Sequence, residues 1–505
     1  MSVRAVAQID PVRRLGPIDP RVYGQFVEQL GRAVYGGVVE PGSRFADDTG
    51  VRLDVLDAAR GLAPTVLRWP GGNFASGYHW RDGIGSPGDR PLRRDLAWSG
   101  LESNAFGTEE FLDYCRRLGA EPYLNLNAST GTIDEALSWV EYCNAVEPLP
   151  EAELRRAGPH PEPHGVKLFG IGNENYGWWQ HGHSTAAEYA ALAREWGKLL
   201  RWASPEAELI AVGAAEDMDW NWTVLSTAGR FVDFLSLHFY WHGDEAHPDP
   251  YHSVVTDPLA SEQDIIATWG LALAAQRKLG LPRPVRLAID EWNVWTRTNR
   301  SAQEDLGLHD MMRGGLTPRN GFDVRFEEDY DLKDALAVAT WLHVMWRHPT
   351  KLGLATQSQM VNVIAPIHVH SDGVLKHTIY HPLALARAHA GTISLDVQVV
   401  CDAAVPAAKL VGGTAPVVDV AATARRDGSP CHVSIVNLSA DDDVAVDLVG
   451  LAGEWNAALL WSEDVFDQNT IARPDAVVPE PRTFNLDDPV TVPRHGHLTL
   501  WRDDG

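Results

Sequence analysis

Cysteine is nearly absent from this chain: four residues in 505, at positions 115, 143, 401 and 431, with no Cys-x-x-Cys spacing. That excludes a zinc ribbon or a dithiol redox motif. Cys115 and Cys143 fall inside amphipathic helical stretches, where a thiol serves as a small buried hydrophobe. Long apolar runs are missing too. No stretch of about 18 uninterrupted apolar residues occurs, so no transmembrane helix is expected. The N-terminal MSVRAVAQIDPVRRLG holds no apolar run of signal-peptide length. Basic residues are the minority charge, 43 Lys and Arg against 68 Asp and Glu, a net −25. Such a chain repels phosphate backbones and anionic bilayers, which argues against nucleic-acid and membrane partners. Internal repeats and low-complexity tracts are also lacking. Together these absences lead to the expectation of a reduced, soluble, cytoplasmic protein.

What is present is a composition of 45% hydrophobic and 22% charged residues, enough apolar material for a large core. Short apolar runs at 24–30, 65–69, 122–127, 166–171, 209–213, 232–237, 285–289 and 357–363 alternate with amphipathic stretches. Runs rich in Val, Ile and Leu are those expected of strands buried on both faces. Helix starts are marked by Thr132 with Glu135 and Thr185 with Glu188, both at capping-box spacing. After Thr185, the residues Tyr189, Leu192, Ala193, Trp196, Leu199, Leu200 and Ala203 recur at the helical period. Phe111, Cys115 and Leu118 do the same before Gly119, a helix stop. Eight strands alternating with helices predict a (β/α)8 TIM barrel of the α/β class. A doubly wound sheet is the runner-up, but GIGNENYG (170–177) lacks the third glycine of a phosphate loop. Five prolines between 148 and 163 mark a surface insertion before the fourth strand. Beyond residue 391 the chain turns to short alternating runs at 433–438, 444–449 and 498–501, with Asp427-Gly428 as a hairpin signal. The expected organisation is an N-terminal strand within 1–18 joining the sandwich, a barrel over 19–390, and a C-terminal antiparallel, jelly-roll-like β-sandwich over 391–505.

Barrel enzymes carry their working residues at the C-terminal ends of the strands. The polar residues there are Glu28, Arg68, Asn73, Asn127, Asn173, Glu174, His238, Tyr240, Glu291 and Gln359. Glu174 follows KLFGIGN and Glu291 follows VRLAID, 117 residues apart, so only a closed fold brings them together. A single strand-end glutamate can be a solvated or ion-paired residue and nothing more. Two of them, facing each other, divide general acid and nucleophile roles, as glycoside hydrolysis requires.

The segments RWPGGNFASGYHW (68–80), GIGNENYG (170–177), LSLHFY (235–240), IDEWNVW (289–295) and SQMVNVIAPI (358–367) run in order along the chain. Together they closely resemble the α-L-arabinofuranosidases of glycoside hydrolase family 51. The Asn-Glu after the fourth strand and the Glu after the seventh are shared by a wider clan of retaining barrel glycosidases; RWPGGNF, DEWNVW and VNVIAPI are narrower. The resemblance implies a retaining, exo-acting hydrolase that removes terminal non-reducing α-L-arabinofuranosyl residues from oligo- or polysaccharides. It implies Glu174 as acid/base and Glu291 as nucleophile. Glu28, Arg68, Asn73, Asn173, His238, Tyr240 and Gln359 match positions that hold the furanose hydroxyls or orient the carboxylates. It also implies a homo-oligomer, commonly a hexamer, and no nucleotide or metal cofactor. Trp98, Trp178 and above all Trp295 offer flat faces for the sugar. The loops at 127–131 and 240–242 depart from the family's pattern.

Three other readings compete. Histidine pairs at 181 and 183, 368 and 370, 495 and 497, and 377 and 381 if helical, each suggest two metal ligands, hence a metal-dependent hydrolase; none belongs to a His-Glu-x-x-His motif. A non-catalytic sugar-binding barrel would lack one of the two glutamates, and both are present. A retaining glycosidase acting on a pyranoside, such as an endoglucanase, would share the two glutamates but not RWPGGNF.

Overall fold

The computed structural model describes residues 3–242, 248–295 and 326–502. Eight parallel strands close into a barrel: β1 (Gly24–Phe26), β2 (Val66–Trp69), β3 (Glu121–Leu126), β4 (Leu168–Ile171), β5 (Glu208–Val212), β6 (Phe234–Trp241), β7 (Arg286–Val294) and β8 (Leu352–Gln357). Each pairs with its neighbours in chain order, and β8 returns to β1. Val66, Tyr123, Leu168, Ile210, Phe234, Ala288 and Leu354 form one apolar cluster, drawn from seven of the strands.

Four strands differ from the sequence expectation in ways that bear on the site. The eighth is Leu352–Gln357, not 357–363. Gly353 interrupts the apolar pattern there, yet the position demands glycine: a Cβ would stand 2.5 Å from the Phe234 ring. Residues 358–363 instead form a loop in which Asn362 adopts φ +59°. The first strand stops at Phe26, which leaves Glu28 in the loop beyond. The sixth and seventh run to Trp241 and Val294, so His238, Tyr240 and Glu291 lie within strands rather than after them.

Local signals mostly act as the residue chemistry dictates. Thr185 and Glu188 form a complete capping box at the start of Ala186–Ala203. Ala203 is nonetheless exposed at its end. Thr132 caps only by half: its hydroxyl accepts from Glu135 N at 3.2 Å, but the Glu135 carboxylate is taken by His79 at 2.9 Å. The proline-rich insertion contains a short helix, Pro150–Arg156, with Pro150 at its first turn.

Eleven further strands build two facing sheets around a second core that includes Val420, Ile435, Val446, Trp455 and Leu498, and three two-stranded hairpins complete the described strands. One sheet has seven strands and the other four. Val3–Gln8 sits inside the four-stranded sheet, antiparallel to Gln398–Cys401 but parallel to Val444–Val449. The sandwich is therefore not wholly antiparallel, because a strand arriving from the far end of the chain has no hairpin to fix its direction. Helix Leu332–Arg347 is buried all round: Ala335, Leu336 and Ala339 enter the sandwich core, Val338, Trp341 and Met345 the barrel core. Among the described residues, no helix is long and apolar enough to cross a membrane.

Candidate active site

The C-terminal rim of the barrel gathers four carboxylates around one arginine and one histidine. Register explains how. Ser236 pairs with Ala288, but His238 pairs with Glu291, so two residues on β6 face three on β7. This is a bulge, and it breaks the alternation that would send Asp290 and Glu291 to opposite faces. Both now point inward. Asp290 accepts from Ser236 Oγ and from Tyr123 Oη at 2.8 Å. Glu291 accepts from Arg68 Nη1 and from Tyr240 Oη, each at 2.7 Å. The single Tyr240 proton goes to Glu291, so the hydroxyl accepts from Ser358 Oγ at 3.0 Å.

Arg68, at the end of β2, is 1% exposed and lies over the rings of Phe26 and Tyr123. A buried guanidinium is costly unless its charge is met. Besides Glu291, it donates to Asn173 Oδ1 at 2.7 Å and to the Asp290 carbonyl at 3.0 Å. Burial works against its charge, but Asp290 and Glu291 outweigh burial and hold it protonated.

Glu174 follows β4 with φ +43°, a left-handed backbone held by its surroundings. Its carboxylate meets His238 Nδ1 at 2.9 Å, Trp179 Nε1 at 2.8 Å and Tyr176 Oη at 3.3 Å. Burial opposes its ionisation, yet the hydrogen bond and charge of His238, then Trp179, carry its pKa below the ordinary value. His238 moves the other way. Burial lowers it, but Glu291, Asp290 and Glu174 together push it up to about 10. The Glu174–His238 pair thus shares one proton at neutral pH. One carboxylate oxygen of Glu174 lies within 4.8 Å of one of Glu291.

Glu28 closes the far side. Its Oε1 accepts from Phe74 N and Trp98 Nε1, each at 3.0 Å, and its Oε2 from Gln359 Nε2 at 3.2 Å. Gln359 Oε1 in turn accepts from Glu28 N at 2.9 Å. Burial, then repulsion from Glu291, raises its pKa to about 8. The double glycine of RWPGGNF is explained here: a Cβ on Gly72 would stand 2.6 Å from Glu28 Oε2. Asn173 Nδ2 reaches Asn73 Oδ1 at 3.3 Å, and the Trp295 ring meets Tyr240 edge-on at 5.7 Å.

Nine of the ten polar residues singled out in the sequence therefore gather at this rim, and Asn127 does not. Sequence reasoning passed over Asp290, Ser236, Tyr123 and Trp179. Asp290 stands in the quoted IDEWNVW segment, but alternation counts it outward, and only the bulge reverses that. Of the tryptophan pair after Glu174, Trp178 is 56% exposed and Trp179 makes the contact. Asn127 turns to its own loop, accepting from Ser129 N and Thr130 N.

The ligand-type atoms of Glu174, His238 and Glu291 come within 4.8 Å of one another. His238 is already engaged on both ring nitrogens, by Glu174 and by Asp290 at 3.4 Å, and Glu291 by Arg68 and Tyr240, so the three satisfy one another without an ion. His377 precedes helix Tyr380–Ala386 and shares no helix face with His381. His495 and His497 bond to Ser462 O and Ser434 Oγ instead of converging.

Residues 58–254 match the family model described as the α-L-arabinofuranosidase 1 domain, and residues 290–495 that of the α-L-arabinofuranosidase C-terminal domain. The chain is 36% identical to α-L-arabinofuranosidase C of Emericella nidulans, over 98% of this chain and 96% of that protein. It is 35% identical to the intracellular exo-α-(1→5)-L-arabinofuranosidase of Halalkalibacterium halodurans, over 79% of this chain and 78% of that one. The solved GH51 α-L-arabinofuranosidase of Thermotoga petrophila superposes with a TM-score of 0.87 at 36% identity, covering 99% of this chain and all of that one. With likeness running through barrel and sandwich alike, this chain belongs to the α-L-arabinofuranosidases of glycoside hydrolase family 51.

Proposed function

We propose that this protein is a retaining exo-α-L-arabinofuranosidase, with Glu291 as nucleophile and Glu174 as acid/base. The observation that carries the mechanism is the approach of the two carboxylates within 4.8 Å. Retaining glycosidases hold the pair about 5–5.5 Å apart, whereas inverting ones leave about 6.5–9.5 Å for a water. Arg68 and Tyr240 grip Glu291 through separate oxygens, which aims it at the anomeric carbon. The proton shared by His238 and Glu174 goes to the departing glycosidic oxygen, and Glu174 then takes one from the water that releases the sugar. Asn173, fixed by Arg68, donates to the sugar 2-hydroxyl, a bond that tightens in the oxocarbenium-like transition state. Glu28, Gln359 and Asn73 hold the other furanose hydroxyls, and Trp295 covers an apolar face of the sugar.

Exo action is supported by the printed name of the Halalkalibacterium relative. That name also supports a cytoplasmic location, and the family resemblance supports a homo-oligomer, a hexamer. A panel of 4-nitrophenyl glycosides tests the substrate. The α-L-arabinofuranoside should be turned over at least about 100-fold faster than β-D-gluco- or β-D-xylopyranosides, since a site built to hydrogen-bond specific hydroxyls rejects sugars that misplace them. Faster cleavage of either pyranoside would overturn the assignment.

A further inference from the structure

A second group of chemistry-bearing side chains lies outside these contacts. Strands β9 (Ile367–His370) and β10 (Gly373–Lys376) form a hairpin that carries His368, with His377 just beyond it. His368 Nδ1 and His377 Nε2 face each other at 3.3 Å. One ligand-type atom from each of Asp329, His368 and His377 lies within 4.8 Å of the others.

The surroundings set the tautomer of His368. Its Nε2 stands 2.8 Å from Glu327 Oε2, and Glu327 is itself held by Arg32 at 2.7 and 2.8 Å. Arg32 Nη2 also approaches His368 Nε2 at 3.3 Å, with its charge already met by Glu327. With the Nε2 proton donated to that carboxylate, the Nδ1 lone pair is left facing His377. A carboxylate behind a histidine, fixing which nitrogen is free, is the arrangement that supports metal-ligating imidazoles. His377 is 1% exposed, and its Nδ1 and the Nε2 of neighbouring His370 are buried without hydrogen-bond partners.

We propose that Asp329, His368 and His377 form a structural site for a divalent transition-metal ion, zinc being the best fit, with water as fourth ligand. Two nitrogens each about 2.0–2.1 Å from a tetrahedral zinc stand about 3.3–3.4 Å apart, the spacing seen here. Two imidazoles and a carboxylate suit zinc better than magnesium or calcium, which prefer oxygen. The ion ties the segment at Asp329 to the hairpin. Between them Tyr330 packs edge-on against His377, with ring centroids 5.7 Å apart, and donates to Val294 O at 2.9 Å, at the end of the strand that bears Glu291. The site braces that strand from behind and takes no part in the reaction.

The test uses untagged full-length chain, stripped with a chelator, dialysed and titrated with zinc chloride against a chromogenic chelator. About one zinc per chain should bind at about micromolar Kd or tighter. Asp329→Asn, at an exposed position where folding is not at risk, should weaken binding at least about tenfold, as should His377→Ala. Glu291→Gln should bind zinc as the parent does. Cobalt in place of zinc should give the visible bands of a tetrahedral ion, lost in Asp329→Asn. Absence of stoichiometric zinc in the parent would overturn the proposal. So would binding unchanged by Asp329→Asn, or binding lost in Glu291→Gln, which would place the ion between the catalytic carboxylates.

Discussion

Glu291→Ala is expected to lose turnover of every arabinofuranoside, by about 10⁶-fold in kcat, the scale on which losing a nucleophile disables an enzyme. No other oxygen is held where Arg68 and Tyr240 hold this one. The substitution also leaves Arg68 buried with one carboxylate partner fewer, and breaking a buried pair costs about 3–5 kcal/mol. Glu291→Gln separates the two effects, since its amide oxygen still accepts from Arg68 while its nucleophilicity is gone. Both variants should be inactive on 4-nitrophenyl α-L-arabinofuranoside, with the glutamine variant melting closer to the parent. A folded Glu291→Gln protein with more than a few per cent of parental kcat would move the nucleophile elsewhere.

Glu174→Ala should behave differently, because its loss is felt only where a proton is needed. With a poor leaving group such as an alcohol or a second sugar, glycosylation should slow by about 10²–10⁴-fold or more. That is about 3–5 kcal/mol of transition-state stabilisation. A nitrophenolate departs with little protonation, so its release should survive as a burst. Deglycosylation then lacks its base, and glycosyl-enzyme should accumulate on Glu291, visible as a mass increase of the intact chain. Azide should enter the space left by the side chain and release a glycosyl azide of retained configuration. His238 loses its partner at 2.9 Å in this variant. Equal damage to all substrates with no effect of azide would shift the acid/base role, with Glu28 next in line.

The barrel was legible because eight apolar runs recur between helices, and a parallel sheet covered on both faces needs such runs. The strand that misled was the one whose pattern a glycine interrupts: Gly353 is dictated by the Phe234 ring, a neighbour 119 residues away in the chain. The two glutamates could be read because each follows an apolar run in the sequence, although Glu291 proves to lie within its strand. Asp290 could not, since period-two alternation turns it outward and the bulge that turns it inward arises from pairing with β6. The same limit applied to Trp179, adjacent to an equally plausible tryptophan, and to His368 with His377, whose approach depends on a hairpin rather than on their spacing. Local chemistry marks where residues begin and end an element. Which of them face one another is decided by register and closure.

Proton NMR of the first sugar released tests the central claim most directly, because stereochemistry records how many displacements occurred. On 4-nitrophenyl α-L-arabinofuranoside, with spectra taken before mutarotation, two displacements through Glu291 give α-L-arabinofuranose first and the β anomer only later. Initial appearance of the β anomer would mean a single displacement by water and would contradict the assignment of Glu174 and Glu291 as a retaining pair.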